Sequence, residues 1–205
     1  FPLQKSGFVE QPQNIIKYAG SGPNQNRQEC SHIHCTYITP DGQHICVVDL
    51  GTDTIHVYAL DFQSGINFTS EKVTKISMKP GEGPRHIIFD PKQEYAYVAS
   101  ELGNTVTSFR VNKSDSGCGL SFDQVSTIST LPEGFSDVSY VAAIKFSKNS
   151  DQLFVSNRGH ESIACFSLDG KGGMTLKNIV SVRGKFPRDF DFFPNGDILA
   201  ATNQL

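Results

Sequence analysis

The chain has 205 residues, 38% of them hydrophobic and 19% charged, with 18 Lys+Arg against 21 Asp+Glu. That balance excludes a disordered or fibrous chain, and a net charge of -3 with no run of like charges gives no electrostatic footprint for nucleic acid or a membrane surface. No apolar stretch approaches the roughly 18 residues of a membrane-spanning helix.

In chain order, Phe1–Gly20 reads as the end of one strand unit, closing with a strand over Asn14–Ala19. A template then recurs: a short apolar run, a turn such as Pro40-Asp41-Gly42, a second apolar strand, a polar Gly-containing loop, and an alternating strand such as Thr54–Tyr58. Its copies begin at 39, 90, 147 and 193, at spacings of 51, 57 and 46 residues, the last one cut short at Leu205. A weaker fourth strand closes the unit, at Glu71–Ser77 in the first copy and Asp123–Ser129 in the second. No segment of ten or more residues keeps a helical apolar period.

Four antiparallel strands repeated about every 50 residues form the pattern of β-propeller blades. A β-sandwich has no reason to repeat a sequence template. The expected fold is therefore all-β, a propeller of four-stranded antiparallel blades in one domain. Residues 1–20 would end one blade, 31–80, 84–131 and 141–183 would make three complete blades, and 187–205 would start a further one. The chain begins at Phe1 without Met, which points to about four blades of a larger ring rather than a closed four-bladed ring. Such a piece is expected to be inactive by itself and to associate through its open blade edges.

Five cysteines (Cys30, Cys35, Cys46, Cys118 and Cys165) are scattered with no C-x2-C pair, and read as reduced thiols of a cytoplasmic protein.

Polar residues that turns do not explain gather at two recurrent places. One is the start of each innermost strand, with His32, His34, Arg85, His86 and Arg188; the other is the end of each second strand, with Asp49, Glu101, Arg158, His160 and Asn203. These strands are antiparallel neighbours, so both places fall at one mouth of the central channel. Asp49, Glu101, Arg158 and Asn203 stand at equivalent places and differ, as a localised site requires and a repeated binding surface does not. The arginines, joined by Arg27 from the preceding loop, suit a small anionic ligand, because guanidinium matches carboxylate and phosphate bidentately. Their structural alternative is bracing between blades, or pairing with Glu101 and Asp189. His32 and His34 alternate along a strand and should face the same side; without a clustered acidic ligand they imply no metal, and no cofactor is expected. His44 and His56 read as surface residues away from the mouth. There is no phosphate loop and no nucleophile elbow.

The segments GSGPNQNRQECSHIHCTYITPDGQHICVVDLGTDTIHVY, GEGPRHIIFDPKQEYAYVASELGNTV, LFVSNRGHESIACF and GKFPRDFDFFPNGDILAATNQ, in that order, resemble the seven-bladed propeller lactonase family. That family holds the propeller-type 6-phosphogluconolactonases of bacteria and the fungal carboxy-muconate cyclase. Matching motif positions imply a reacting set of His34 (or His32), Arg85, Glu101 and Arg158. His32, His86, His160, Arg188 and Arg27 are read as substrate contacts. Ile33 stands where the family often has Pro, on the opposite strand face. The resemblance implies hydrolysis of a sugar lactone, first of all 6-phospho-D-glucono-1,5-lactone of the pentose phosphate pathway, without a metal ion. Either Glu101 or His34 would be the general base, Arg85 with His86 would meet the oxyanion, and Arg158 with Arg188 would hold the phosphate. A carboxylated-lactone enzyme and a non-catalytic YVTN-type propeller remain alternatives. A WD-repeat scaffold is disfavoured by the absence of Trp.

Overall fold

In the run Tyr95–Ser100, Ala96 and Val98 pack into one apolar cluster with Phe89 and Val57, while Tyr97 and Ala99 pack into another with Val141 and Phe166. Alternate side chains of one strand leave opposite faces of a sheet, so a near-continuous apolar run means a sheet covered on both sides. Repetition of that situation stacks sheets face to face around an axis, and the cores lie between blades.

The computed structural model describes residues 1–12, 15–60, 73–113 and 119–205. The first blade comprises β1 (Ile33–Ile38), β2 (His44–Asp49), β3 (Thr54–Ala59) and β4 (Val73–Ser77). The second comprises β5 (Pro84–Phe89), β6 (Tyr95–Ser100), β7 (Thr105–Lys113) and β8 (Leu120–Ser129). The third comprises β9 (Tyr140–Phe146), β10 (Gln152–Arg158), β11 (Ser162–Leu168) and β12 (Met174–Ser181). A further sheet holds β13 (Pro187–Phe192) and β14 (Leu199–Asn203). Every sheet is antiparallel with strands in sequence order, as consecutive hairpins give. Among the described residues no helix is long and apolar enough to cross a membrane.

The sequence template reappears in the backbone. Gly42, Gln93, Ser150 and Gly196 hold the same hairpin position at positive φ, and each donates its N–H to the carbonyl three residues earlier. At the next turn, Asp53, Asn104 and Glu161 share a left-handed conformation with φ of 52°, 52° and 55°. Each reaches toward the following blade. The Asp53 carboxylate accepts the N–H groups of Gly81 and Gly83, both at 2.7 Å; Asn104 Nδ2 donates to the Ser139 carbonyl at 2.8 Å; Glu161 accepts the Phe186 N–H. One turn residue per blade thus latches that blade to its neighbour.

Two expectations are corrected. Residues 15–19 of the expected Asn14–Ala19 strand form no strand, and Asn14 itself lies outside the described residues. Among the described residues no strand pairs with them to complete a ladder, and Tyr18 instead docks on the first blade. Its hydroxyl bonds that of Tyr58 at 2.9 Å and its ring lies 4.6 Å from His56. His44 is not a surface residue: it is 4% exposed, and His56 is half-buried. A second strand with cover on both faces leaves its side chains little access to water. Of the expected fourth strand Glu71–Ser77, residues 71 and 72 lie outside the described residues, and β4 covers the remainder.

Candidate active site

Each innermost strand carries an irregularity at the same place. The register of β1 on β2 slips between Ile33 and Cys35, of β5 on β6 between Pro84 and His86, and of β13 on β14 between Pro187 and Asp189. The extra residues are His34, Arg85 and Arg188. A β-bulge takes one residue out of the alternation and re-aims its side chain. In the third blade the slip on β9 falls at Ala142 and Ala143, and Arg85 reaches its backbone: Nη1 donates to the Ala142 carbonyl at 2.7 Å.

At the exit of the second strands the pairing puts Asp49, Ser100 and Asn157 opposite Thr54, Thr105 and Ser162. Equivalent to Glu101 and Arg158 are therefore Leu50 and Gln204, not Asp49 and Asn203 as the sequence pattern suggests. The correction separates two jobs. Asp49, fully buried, accepts from Ser31 Oγ, the His32 N–H, the Gly51 N–H and Thr52 Oγ1, and so holds the chain in place. Glu101, one residue further along in its own blade, faces the mouth.

Three guanidinium groups converge on Glu101. Arg27 Nη2 bonds its Oε1, Arg85 Nε donates to Oε2 at 3.0 Å, and Arg158 Nη2 reaches Oε2 at 2.7 Å. Glu101 is 2% exposed and both its oxygens are occupied. Burial alone would raise its carboxyl, but Arg158, Arg27 and Arg85 together hold it below the usual carboxylate range. Arg158 also donates to the Val141 carbonyl at 3.0 Å, while its buried Nε has no hydrogen-bond partner among the described residues. Arg85 is lowered to about 10, by burial first and then by Arg158 and Arg188 against the pull of Glu101, and stays charged at neutral pH.

Two imidazoles stand beside this cluster. His34 and His86 meet edge to face, with ring centroids 5.4 Å apart. Arg85 Nη1 lies against His86, 3.0 Å from Nε2 and 3.3 Å from Nδ1. Burial, reinforced by Arg85, pushes His34 down to about 4; burial, Arg85 and His34 push His86 down to about 3. Both rings are neutral at pH 7. The buried Nδ1 of His34 has no hydrogen-bond partner among the described residues.

The other expected site residues are spread wider. Arg27, 38% exposed, faces an open hollow of about 510 Å³ that His32 and His34 also border. Its loop is pinned by Gln28, fully buried, whose Nε2 donates to the Leu50 carbonyl at 2.9 Å. Arg188 is exposed and makes no ion pair among the described residues; of the structural alternative, pairing with Glu101 is formed by Arg27, Arg85 and Arg158, whereas Asp189 lies 3.5 Å from Lys145. His32 and His34 do not act as a pair, because the bulge parts them. His32 turns to Glu29, 3.0 Å from its Nε2, and to Cys30. An acidic neighbour is thus present where the sequence pattern suggested none. His160 stands off the guanidinium cluster, with Nδ1 2.7 Å from Ser162 Oγ and its ring edge-on to Phe135.

Tyr140 escaped the sequence reading. The guanidinium carbons of Arg27 and Arg158 lie 5.1 and 5.8 Å from its ring centre, so one aromatic ring steadies two cations. Its place opposite Arg158 in the β9–β10 pairing was the signal that could have found it.

Residues 1–205 match the family described as Lactonase, 7-bladed beta-propeller. The chain is 36% identical over 205 residues to the 6-phosphogluconolactonase of Bacillus subtilis (strain 168), a match covering 100% of this chain and 56% of that protein. Among solved structures, the periplasmic gluconolactonase PpgL of Pseudomonas aeruginosa aligns with a TM-score of 0.87 at 27% identity, over 99% of this chain and 55% of that one. A protein from Lactobacillus plantarum aligns with a TM-score of 0.85 at 32% identity, over 98% of this chain and 56% of that one. The chain thus spans about half the length of the relatives it matches. By a family match over its whole length, and with a fold that agrees, it belongs to the seven-bladed β-propeller lactonases.

Proposed function

We propose that the protein hydrolyses a sugar lactone bearing an anionic group, with 6-phospho-D-glucono-1,5-lactone as first candidate, through general-base attack of water. One observation carries this reading: a single carboxylate, Glu101, enclosed by three guanidinium groups beside two neutral imidazoles. Three cations against one anion leave the mouth positive, which suits a phosphate or carboxylate tail. The name of the Bacillus relative supports the phosphorylated lactone.

A lactone is a cyclic ester. Water attacks its carbonyl carbon, a C–O bond forms, and the water proton passes to a base. His34 is favoured over Glu101 for that role, because among the described residues a ring nitrogen of His34 lacks a partner whereas both Glu101 oxygens are taken. Arg85, with His86 against it, meets the oxyanion. Collapse breaks the ring C–O bond, the proton on His34 goes to the departing oxygen, and the product is a hydroxy acid. Glu101 acts here as a positioning residue for the three arginines. Arg27 and Arg188, the more exposed cations, take the phosphate, and Arg158 supports them from beneath; His32 and His160 are contacts at the rim. The free thiols of Cys30, Cys35, Cys46 and Cys165 support action in a reducing, cytoplasmic compartment, which cell fractionation checks.

The deciding experiment is acid release by the full-length protein, corrected for spontaneous hydrolysis, from 6-phosphogluconolactone, unphosphorylated gluconolactone and a carboxylated muconolactone. Preference for the phosphorylated compound is expected. Preference for the muconolactone would move the protein into aromatic catabolism, and turnover of none would leave a binding propeller.

A further inference from the structure

Among the described residues, one group of side chains outside the guanidinium cluster brings metal-ligating atoms of three kinds together. A carboxylate oxygen of Glu29, the thiol of Cys30 and a ring nitrogen of His32 all lie within 4.8 Å of one another. His32 Nε2 is 3.0 Å from Glu29 Oε1 and 3.7 Å from Cys30 Sγ. Zinc with bonds of about 2.1 Å to N and O and about 2.3 Å to S, at tetrahedral angles, separates its N and O ligands by about 3.4 Å and its N and S ligands by about 3.6 Å. The observed spacings are within a few tenths of an ångström of those edges.

We infer that Glu29, Cys30 and His32 form a tripod for a thiophilic divalent cation of the zinc class at the rim of the propeller mouth. The donor set selects the metal. One thiolate, one imidazole and one carboxylate suit zinc, whereas calcium and magnesium want several oxygens. An ordinary surface ion pair accounts for Glu29 and His32 alone but gives no reason for a thiol beside the same ring nitrogen.

The loop that bears the ligands is fixed from behind. Buried Asp49 accepts from Ser31 Oγ at 2.7 Å and from the His32 N–H at 2.8 Å, and the Leu50 N–H donates to the His32 carbonyl at 3.0 Å. Gly51 packs so close beneath that a Cβ there would sit 1.9 Å from the Cys30 carbonyl oxygen. A preorganised backbone of this kind lowers the entropy that three flexible ligands would otherwise lose on binding. Three protein ligands leave a fourth position, and the hollow bordered by Glu29, His32 and His34 gives it room for water or an anion. The tripod does not depend on the lactonase reading, and no step of the proposed hydrolysis runs through it.

The test is Co²⁺ and Zn²⁺ titration of the full-length protein. One equivalent of Co²⁺ should give a thiolate-to-cobalt charge-transfer band with tetrahedral visible absorption, displaced by Zn²⁺. Cys30→Ser should abolish the band, and Glu29→Gln and His32→Asn should each weaken Zn²⁺ binding by about tenfold or more. Glu29 and Cys30 are exposed, so the fold should survive, checked by an unchanged Tm without metal; Cys165→Ser should keep the band. Absence of the band, its persistence in Cys30→Ser, or Zn²⁺ affinity unchanged in His32→Asn would overturn the assignment.

Discussion

Arg85 Nε donates to Glu101 Oε2 across 3.0 Å, and the two side chains are only 4% and 2% exposed. The pair ties the bulge of β5 to the exit of β6, and Arg158 brings the third blade onto the same oxygen at 2.7 Å. Removing one partner from a buried charge network strands the rest, at a cost of about 3–5 kcal/mol. Glu101→Gln should therefore lower the urea unfolding midpoint of the full-length protein by that equivalent. It should also cut kcat by roughly 100-fold or more, since the arginines lose their anchor. An unchanged midpoint would show that the three guanidinium groups hold their places without it.

The histidines set the pH response. His34 and His86 are depressed to about 4 and about 3 in the folded protein, against an ordinary value near 6.5. As pH falls, the unfolded chain takes up these protons first, so stability drops progressively below about pH 6.5 until each ring is protonated in the folded state. Catalysis by neutral His34 predicts kcat/KM flat from pH 6 to 8, with its acid limb near pH 4 rather than near 6.5. His34→Ala should remove that limb and lower kcat by about 100-fold or more. A wild-type limb at pH 6.5 would count against a buried neutral base.

Substrate charge should be read by the exposed arginines. Arg188 has no ion pair among the described residues, so Arg188→Ala disturbs little of the fold. KM for the phosphorylated lactone should rise by about tenfold or more, the loss of a charge-assisted hydrogen bond. Values for unphosphorylated gluconolactone should hardly move. Equal losses on both compounds would assign Arg188 to structure.

Blade latching offers a test independent of activity. The Asp53 carboxylate caps two backbone N–H groups of the Gly81–Gly83 segment at 2.7 Å each, and the Gly83 bond is buried. Asp53→Ala should cost about 2–3 kcal/mol, because an orphaned buried donor loses both partner and water. Hydrogen exchange should report the loss locally, at residues 81–83 rather than across the second blade.

Much of this fold was legible because each blade repeats a turn, an apolar run and a polar exit, and those signals are local. The site was legible in part. Arg85, Glu101 and Arg158 could be gathered at one mouth by topology alone. That they share one carboxylate depends on side-chain reach across three blades, which no spacing encodes. The bulges were invisible, since nothing in Ser31–His34 or Pro84–Arg85 announces an extra residue. Missing them made His32 and His34 look like partners; the levelling of Asp49 with Glu101 was a one-residue slip at the strand exit, which the β2–β3 and β6–β7 pairings resolve. Tyr140 was hidden for a similar reason: an aromatic at the start of an inner strand reads as core until its cationic neighbours are placed.

The recurring bulge gives the mouth an interchangeable character. His34, Arg85, Ala142 and Arg188 occupy the same backbone socket in successive blades, and the ladder on either side is indifferent to which side chain sits there. Blades made from one template can therefore diverge in chemistry at a single position each without renegotiating their packing. A ring built this way can change the ligand it accepts one socket at a time.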